Sequence, residues 1–333
     1  MRLSSAAAAL LAPAVIGALG LGSVPAQADT SATAARTAVR AAWIKTCYDE
    51  KREESWPCGT WRLLLRDGRQ VAVPAAAARG VDGKGRRTRQ PATFAISADG
   101  RVLAYERARD HRLVVQRADG GPATELPASA RPRGVGSDEV ALTLSPSGHR
   151  VLIDYTDDPE RLRTKIITVA AGGITTLPAV YSTQGFSADG DQVLATRTMS
   201  DNTTAMYALR PGGGFLKRTP PTIVVNGGTY ALDAGGTTVG FFTASQDKPP
   251  RVRTYDLASG ELSAGADLPL PADVAPYLAR WSGGRLTTTI TTDDRSGATV
   301  VRVLTVDPAN GAAEQADKYT INSGYHAYVL AGE

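Results

Sequence analysis

The sequence predicts an all-β fold, a six-bladed β-propeller, because a short turn phrase recurs along the chain at the spacing of propeller blades. The glycine that closes each phrase returns about every 45 residues, the length of a blade built from four short strands. The phrases are Ser97–Gly100, Ser145–Gly148, Ser187–Gly190, Asp233–Gly236, Ser282–Gly284 and Asn322–Gly324. The chain also contains 34 glycines and 20 prolines, which supply the tight turns that such a fold requires.

Apolar and β-branched residues follow the first three turns in the alternating pattern of half-buried strands. These segments are Val102–Tyr105, Val151–Tyr155 and Val193–Thr196. Within the phrase, aspartate accepts hydrogen bonds from nearby backbone amides and glycine adopts a positive φ without strain. The Ser, Asp and Gly of the phrase are therefore predicted to be scaffold residues.

The third repeat illustrates the predicted blade. Its inner strand, Thr183–Phe186, is followed by the turn, a second strand Gln192–Arg197, a polar loop and a third strand Met206–Leu209. At the ends of the chain, Trp61–Pro74 resembles the third and fourth strands of a repeat, whereas Tyr319–Ala331 supplies the first half. We therefore expect N- and C-terminal strands to share the sixth blade, which closes the ring and removes its exposed edges.

These repeats resemble the WD40-like repeats of the TolB propeller family, in which a Ser-Pro-Asp-Gly turn precedes a β-branched strand. The resemblance spans residues 61–331 and is clearest over Ser97–Tyr105, Ser145–Tyr155 and Ser187–Thr196, whereas the fourth and fifth repeats keep only the turn. Members of that family typically have six blades, so the resemblance also implies six blades here.

Residues 1–28 are predicted to be a cleaved signal peptide. Arg2 precedes an apolar stretch, Leu10–Leu19, that is too short to cross a bilayer, and a small-residue cleavage site ends at Ala28, before Asp29. A single arginine favours general, Sec-type export over the twin-arginine route. No later stretch of the sequence has the length and hydropathy of a membrane span. We expect a protein secreted into the extracellular space or the cell envelope.

Residues 29–60 are predicted to form a linker and a small segment clipped by a disulfide, with the propeller occupying residues 61–333. Cys47 and Cys58 are the only cysteines, and two thiols in an exported chain most simply form one disulfide. A redox pair or a metal site would compete with this interpretation, but the C-x-x-C spacing and a neighbouring histidine are both absent. The clipped segment is expected to cap one edge or end of the propeller.

The loops between the second and third strands of the blades carry most of the candidate ligand-binding residues. In a propeller these loops share one face with the connections between blades, around the mouth of the central channel. Acids recur in them, and three aromatic residues lie near the entries of inner strands. The candidates are Asp110, His111, Asp157, Asp158, Asp201, Asp293, Asp294, Tyr181, Tyr277 and Trp281. Converging carboxylates suit a cation, a sugar or a basic peptide, and rings suit stacking on a sugar. The alternative is that these are ordinary polar loops and packed rings.

Linear catalytic motifs are lacking in the sequence. Gly185–Gly190 resembles G-x-S-x-G only loosely, because its second glycine comes one residue late and its serine lies in the repeated turn instead of a strand-to-helix junction. The three histidines, His111, His149 and His326, do not form a metal-binding pattern. No catalytic residue, metal or cofactor is therefore predicted.

Together these features favour a secreted, non-enzymatic propeller that binds an extracellular or cell-wall ligand or protein. The alternative is a hydrolase or lyase whose Asp, Arg and Tyr residues gather at the channel mouth from several loops. A net charge of +4 over 333 residues is too weak to predict nucleic-acid binding. We expect a monomer without a membrane span.

Overall fold

The computed structural model describes residues 37–155, 162–245 and 247–333, and these form six four-stranded antiparallel sheets and one two-stranded sheet. The four-stranded sheets succeed one another along the chain, and their first strands surround a central channel. This arrangement confirms the predicted all-β, six-bladed propeller. The predicted signal peptide and its cleavage site between Ala28 and Asp29 lie outside the described residues.

The strands have the following bounds. The N-terminal region forms β1 (Val39–Asp49), β2 (Glu54–Leu65) and β3 (Gln70–Val73), and a hairpin of β4 (Arg79–Val81) and β5 (Arg87–Pro91) follows. Blade 1 contains β6 (Phe94–Ile96), β7 (Val102–Glu106), β8 (Leu113–Arg117) and β9 (Thr124–Glu125). Blade 2 contains β10 (Val140–Leu144), β11 (Arg150–Tyr155), β12 (Lys165–Thr168) and β13 (Ile174–Thr176). Blade 3 contains β14 (Ser182–Phe186), β15 (Val193–Thr198), β16 (Thr204–Leu209) and β17 (Phe215–Arg218).

Blade 4 contains β18 (Thr229–Leu232), β19 (Thr238–Ser245), β20 (Lys248–Asp256) and β21 (Ala266–Asp267). Blade 5 contains β22 (Leu278–Ser282), β23 (Arg285–Asp293), β24 (Thr299–Val306) and β25 (Ala313–Ile321), and β26 (Tyr325–Leu330) ends the series. A 3-10 turn, Ala128–Ala130, and a short helix, α1 (Thr222–Val225), lie in connections between blades. Within the described residues, no helix has the length and apolar character to cross a membrane.

The sixth blade, called the closing blade below, has the strand order β26-β1-β2-β3. The predicted sharing of this blade by the two ends of the chain is confirmed, but the predicted division of two strands from each end was wrong. The C-terminal part supplies one strand and the N-terminal part supplies three. The prediction missed β1 because its buried positions include Ala41 and Ala42, and alanine has little intrinsic preference for strands.

The disulfide between Cys47 and Cys58 is present, and it joins β1 to β2. The two cysteines therefore lie inside the closing blade, and the expectation of a separate clipped segment that caps the propeller is corrected. The described part of the propeller begins with β1, well before residue 61.

The repeated turn performs the structural task predicted for it. In the first repeat, the Ser97 hydroxyl accepts hydrogen bonds from the amides of Arg101 and Val102, and it donates one to Asp99. Gly100 has a φ of 73°, and a Cβ at this position would lie 2.3 Å from the Val39 carbonyl oxygen. Only glycine therefore allows this turn to approach β1 so closely.

Aromatic rings fill the interface between the closing blade and blade 1, which we call the blade 1 seam. Trp61 stacks on Phe94 with ring centroids 4.7 Å apart, and Phe94 stacks on Tyr105 at 5.8 Å. The Trp61 indole also donates a hydrogen bond to the Ala77 carbonyl at 2.9 Å. Burial of large rings with their polar atoms paired makes this seam a strong stabilising contact.

The interface between the closing blade and blade 5, which we call the blade 5 seam, is built differently. Its fully buried apolar cluster contains Ala41, Val301, Ile321 and Leu330, and partly buried apolar and aromatic residues pack against it. Polar and charged side chains line a cavity beside this cluster, and this cavity is the candidate functional site.

Candidate ligand-binding site

A cavity of about 780 Å³ lies at the end of the propeller where the repeated turns lie, and it extends between the closing blade and blade 5. Turn residues from all five complete blades contribute to its wall, namely Ala98, Pro146, Ala188, Ala234 and Gly283. A cavity of this volume can accommodate a small-molecule ligand. It lies at the end of the ring opposite to the loop face on which the sequence placed the candidates.

Arg280, in the inner strand of blade 5, lines the cavity and reaches to two other blades. Its Nη1 donates hydrogen bonds to the carbonyls of Ala98 at 3.3 Å and Ala331 at 3.0 Å. Burial lowers the pKa of Arg280, the Tyr319 hydroxyl opposes that effect, and the positive charge of Arg66 adds to it. Among the described residues, no carboxylate pairs with this guanidinium.

Arg40 and Asp317 form an ion pair across the cavity wall. Arg40 donates through Nε to Asp317 Oδ2 at 2.8 Å and through Nη2 to Oδ1 at 2.7 Å. The register of β24 and β25 shifts between Val303 and Leu304, which leaves Ala316 without a partner. Such a β-bulge redirects the side chains that follow it, and here it places Asp317 opposite β1.

Tyr319 lies beside this pair. Its hydroxyl donates a hydrogen bond to the Arg40 carbonyl at 3.2 Å, and the Arg40 guanidinium carbon lies 5.4 Å from the ring centroid. Burial raises the pKa of Tyr319 above its ordinary value of 10.0, and the charge of Asp317 acts in the same direction. Tyr319 is therefore protonated at neutral pH, and its proton is donated to the Arg40 carbonyl.

Alternation along two strands of blade 5 brings hydroxyl groups to the cavity. Thr287 and Thr305 are paired across β23 and β24, and both line the cavity together with Thr289. Leu286 and Leu304, one position away on each strand, face the apolar core between blades 4 and 5 instead. The two-residue period of a strand thus separates a packing face from a polar face.

The last residues of the chain lie in the central channel. Gly332 donates its amide to the Ile96 carbonyl at 2.8 Å, and Glu333 lines a smaller cavity of about 190 Å³ in the channel. Tyr277 donates its hydroxyl to Glu333 Oε1 at 2.5 Å. Arg280 lines both cavities, so it stands at the boundary between the channel and the seam.

Two predicted residues of blade 1, Asp110 and His111, lie in one loop but contact different partners. Asp110 accepts a hydrogen bond from Arg107 Nε at 2.8 Å, and this side chain lowers the pKa of Asp110 to about 2. His111 Nδ1 lies 2.5 Å from an oxygen of Glu106, a fully buried carboxylate that also contacts Arg131 Nη1 at 3.1 Å. Sequence reasoning missed Glu106 because it lies within the regular strand β7.

The remaining predicted acids are engaged in their own loops. Asp201 accepts from the amide and hydroxyl of Thr203, and Asp294 accepts from Ser296. Asp293 accepts the hydroxyl of Thr299 at 2.8 Å. Asp157 and Asp158 lie outside the described residues.

The described acids of the predicted set do not line either of the two cavities. Within the described ranges, no group of three or more His, Cys, Asp or Glu is arranged to hold a metal ion. A ligand-binding role for these loop acids stays a prediction.

The predicted aromatic residues are divided among three places. Trp281 lines the cavity, and its indole donates to the Ala231 carbonyl at 3.0 Å. Tyr277 is at the channel with Glu333, as described. Tyr181 packs against Tyr207 in an edge-to-face contact with centroids 4.8 Å apart. The structure therefore brings one of the three to the cavity.

Sequence reasoning missed the cavity arginines, Arg40, Arg66 and Arg280. They are far apart in the chain and match no motif. The one local signal was Arg280, a charged residue in the middle of an inner strand, where channel-facing positions are expected to be small or apolar.

No protein-family model matches the sequence, and no curated protein matches it. Solved structures similar to this chain include TolB from Acinetobacter baumannii, with 13% identity, a TM-score of 0.49, and coverage of 89% of this chain and 67% of that one. Another is a putative TolB from Agrobacterium tumefaciens, with 12% identity, a TM-score of 0.45, and coverage of 86% and 92%. A third is the β-propeller domain of the Trilobed protease from Pyrococcus furiosus, with 12% identity, a TM-score of 0.47, and coverage of 84% and 82%.

The sheet topology itself defines the chain as a six-bladed β-propeller.

Proposed function

We propose that this protein is a secreted, monomeric, non-enzymatic propeller that binds a small ligand in the cavity of the blade 5 seam. The observation that carries the proposal is the cavity itself, which interrupts a contact between blades and places Arg280, Arg66 and Tyr319 on its wall. Buried charge is costly unless it is compensated, so packing alone would favour apolar residues here. A ligand that enters the cavity supplies the missing contacts.

The chemistry of the cavity supports binding better than the alternative of a hydrolase or lyase. Both oxygens of Asp317 accept from Arg40, so this carboxylate is not free to act as a base. Tyr319 is protonated at neutral pH because burial raises its pKa. Arg280 and Arg66 offer hydrogen-bond donors that orient a ligand, whereas neither Asp317 nor Tyr319 is available as a general base.

Secretion is proposed from the N-terminal sequence together with the disulfide. Disulfides persist in oxidising compartments, and Cys47 and Cys58 form one between neighbouring strands. Expression of the full chain in a bacterial host should release a product whose N-terminus is Asp29. Retention of residues 1–28 on a cytosolic product would contradict secretion.

The binding proposal is tested by calorimetric titration of the mature protein with saccharides, peptides and small metabolites, combined with Ala316→Trp. Ala316 lies on the cavity wall, so the indole should fill the space and abolish binding. The matched control is Glu314→Trp, on the same strand but outside the cavity wall, where affinity should be unchanged. Binding that survives Ala316→Trp would place the ligand elsewhere.

The non-enzymatic part is tested by incubating the protein with glycosides, lactones and peptides and analysing the products by mass spectrometry. We expect no turnover. Turnover that disappears in Asp317→Asn, or in Asp293→Ala on the loop face, would replace the binding proposal with the enzymatic alternative.

A further inference from the structure

We infer that the ligand of the seam cavity carries an oxyanion, a carboxylate or a phosphate, on a hydroxyl-rich body, and that Arg280 and Arg66 hold this group. The inference rests on the proposed binding function and specifies its ligand as an acidic sugar. Four observations support it.

The first observation is the set of free donors on Arg280. Both of its hydrogen bonds within the described chain use Nη1, with the carbonyls of Ala98 and Ala331 as acceptors. Nε and Nη2 bond to no described residue, and neither atom is sealed from solvent. A guanidinium presents its donors as a fork that matches carboxylate and phosphate oxygens. Two such donors at a cavity wall are suited to an oxyanion.

The second observation is that the arginine is held in place before any ligand binds. A Cβ added to Gly332 would lie 2.3 Å from Nη1 of Arg280, so the backbone of the chain end packs directly on the guanidinium. The two carbonyl acceptors belong to blade 1 and to the residues after β26. A pre-positioned donor loses little conformational entropy on binding, which favours affinity.

The third observation is that each carboxylate of the cavity wall already accepts hydrogen bonds from the chain. Both oxygens of Asp317 are bound by Arg40. Asp99 and Asp189 each accept through Oδ1 from the serine and an amide of their own turn. Arg66 is exposed on the cavity wall and adds a second positive charge near Arg280. The hydrogen-bond donors of the wall that remain unused therefore include those of two arginines.

The fourth observation concerns the rest of the wall. Thr287, Thr289 and Thr305 line the cavity, together with the aromatic residues Tyr319 and Trp281. Hydroxyls and aromatic surface together suit a sugar ring better than an apolar ligand. The volume of about 780 Å³ is adequate for a body of one to a few sugar units.

The test uses matched probes that differ in the anionic group. The mature protein is titrated by calorimetry with D-glucuronate and D-glucose 6-phosphate against D-glucose, and with N-acetylmuramate against N-acetylglucosamine. We expect at least one anionic probe to bind ten-fold or more tightly than its neutral counterpart. The carboxylate and phosphate arms then identify which oxyanion is preferred.

Variants connect this preference to the arginines. Arg280→Gln should lower the affinity for the preferred anionic probe at least ten-fold and leave the neutral probe unchanged. Arg66 is exposed and does not support the fold, so Arg66→Gln should fold normally and lower the affinity for this probe three-fold or more. This variant therefore tests the inference even if Arg280→Gln does not fold. The matched control is Arg285→Gln, a surface arginine on β23 outside the cavity wall, which should have no effect.

The outcomes separate the two proposals. Binding of neutral sugars that is blocked by Ala316→Trp but indifferent to Arg280→Gln and Arg66→Gln would overturn the oxyanion inference while the binding function stands. If no probe and no member of the wider ligand collection binds in the cavity, both the binding function and the oxyanion inference are wrong.

Discussion

The two seams of the closing blade are built differently although they flank the same sheet. The blade 1 seam contains thirteen buried apolar residues, with Trp61 stacked against Phe94 at 4.7 Å. The blade 5 seam has four fully buried apolar residues, with partly buried rings packed on them, and a cavity of about 780 Å³ lined in part by charged residues. A ring needs only some of its contacts between blades to be optimised for packing, so one seam can supply stability while another is free for ligand binding.

The largest effect is expected from deleting Tyr319–Glu333, because the deletion removes β26, which contributes side chains to both seams. The closing blade would lose its inner strand, and β1 would become an unpaired edge. Thermal unfolding by circular dichroism should reveal loss of the cooperative transition. A truncated protein that unfolds at the same temperature as the full chain would show that the closure contributes nothing.

The next largest effect is expected at the blade 1 seam. Trp61→Ala should lower the free energy of unfolding by about 3–5 kcal/mol, because it removes a large buried ring and leaves a cavity. Urea denaturation provides the measurement. Tyr48→Ala, at an aromatic residue that is 58% exposed, is the control and should change stability by less than about 1 kcal/mol. Equal losses in the two variants would contradict the packing role of the seam.

An intermediate effect is expected for Arg40→Ala at the blade 5 seam. The change leaves the half-buried carboxylate of Asp317 without its two charge-assisted hydrogen bonds, which should cost about 1–3 kcal/mol of unfolding free energy. Addition of Asp317→Asn to this variant should restore part of the loss, because the uncompensated charge is then removed. If the double variant is no more stable than Arg40→Ala, the ion pair with Asp317 is not the source of the stability that Arg40 contributes.

A small effect on stability, but a clear one on binding, is expected for Thr305→Val. The side chain is partly exposed to the cavity, so replacing its hydroxyl by a methyl group should change the unfolding free energy by less than about 0.5 kcal/mol. The affinity of the cavity for a hydroxyl-rich ligand should fall. Strong destabilisation would indicate that the threonine face is a packing surface like the blade 1 seam.

The smallest effect concerns pH and the loop beside the blade 1 seam. The Arg107 side chain lowers the pKa of Asp110 from 3.8 to about 2, so the folded state binds this proton less tightly than the unfolded state. The stabilising contribution is complete above pH ~4 and is lost as the pH falls towards 2. Asp110→Asn should therefore flatten the decline in melting temperature within this window. An unchanged acid profile would contradict the contribution of the pair.

Much of the architecture follows from local sequence. The repeated turn predicts the number and order of the blades because Ser97, Asp99 and Gly100 satisfy a tight turn with their own side chains and a positive φ. The pairing of Cys47 with Cys58 was likewise predictable, because the sequence contains only these two cysteines. The division of the closing blade between the two ends of the chain does not follow from local sequence. The alanines of β1 have little intrinsic preference for strands, and β1 is a strand because it pairs with β26 and β2.

The sequence by itself determined the propeller, its six blades, its closure by both ends and its disulfide, because these features depend on short-range turn chemistry and on the spacing of repeats. Only the tertiary structure decided where the candidate site lies. Arg40, Arg66 and Arg280 meet because ring closure brings β1 and the end of β2 opposite β22, and a β-bulge at Ala316 aligns Asp317 with Arg40. Such a site depends on contacts between residues hundreds of positions apart, and no local pattern encodes them.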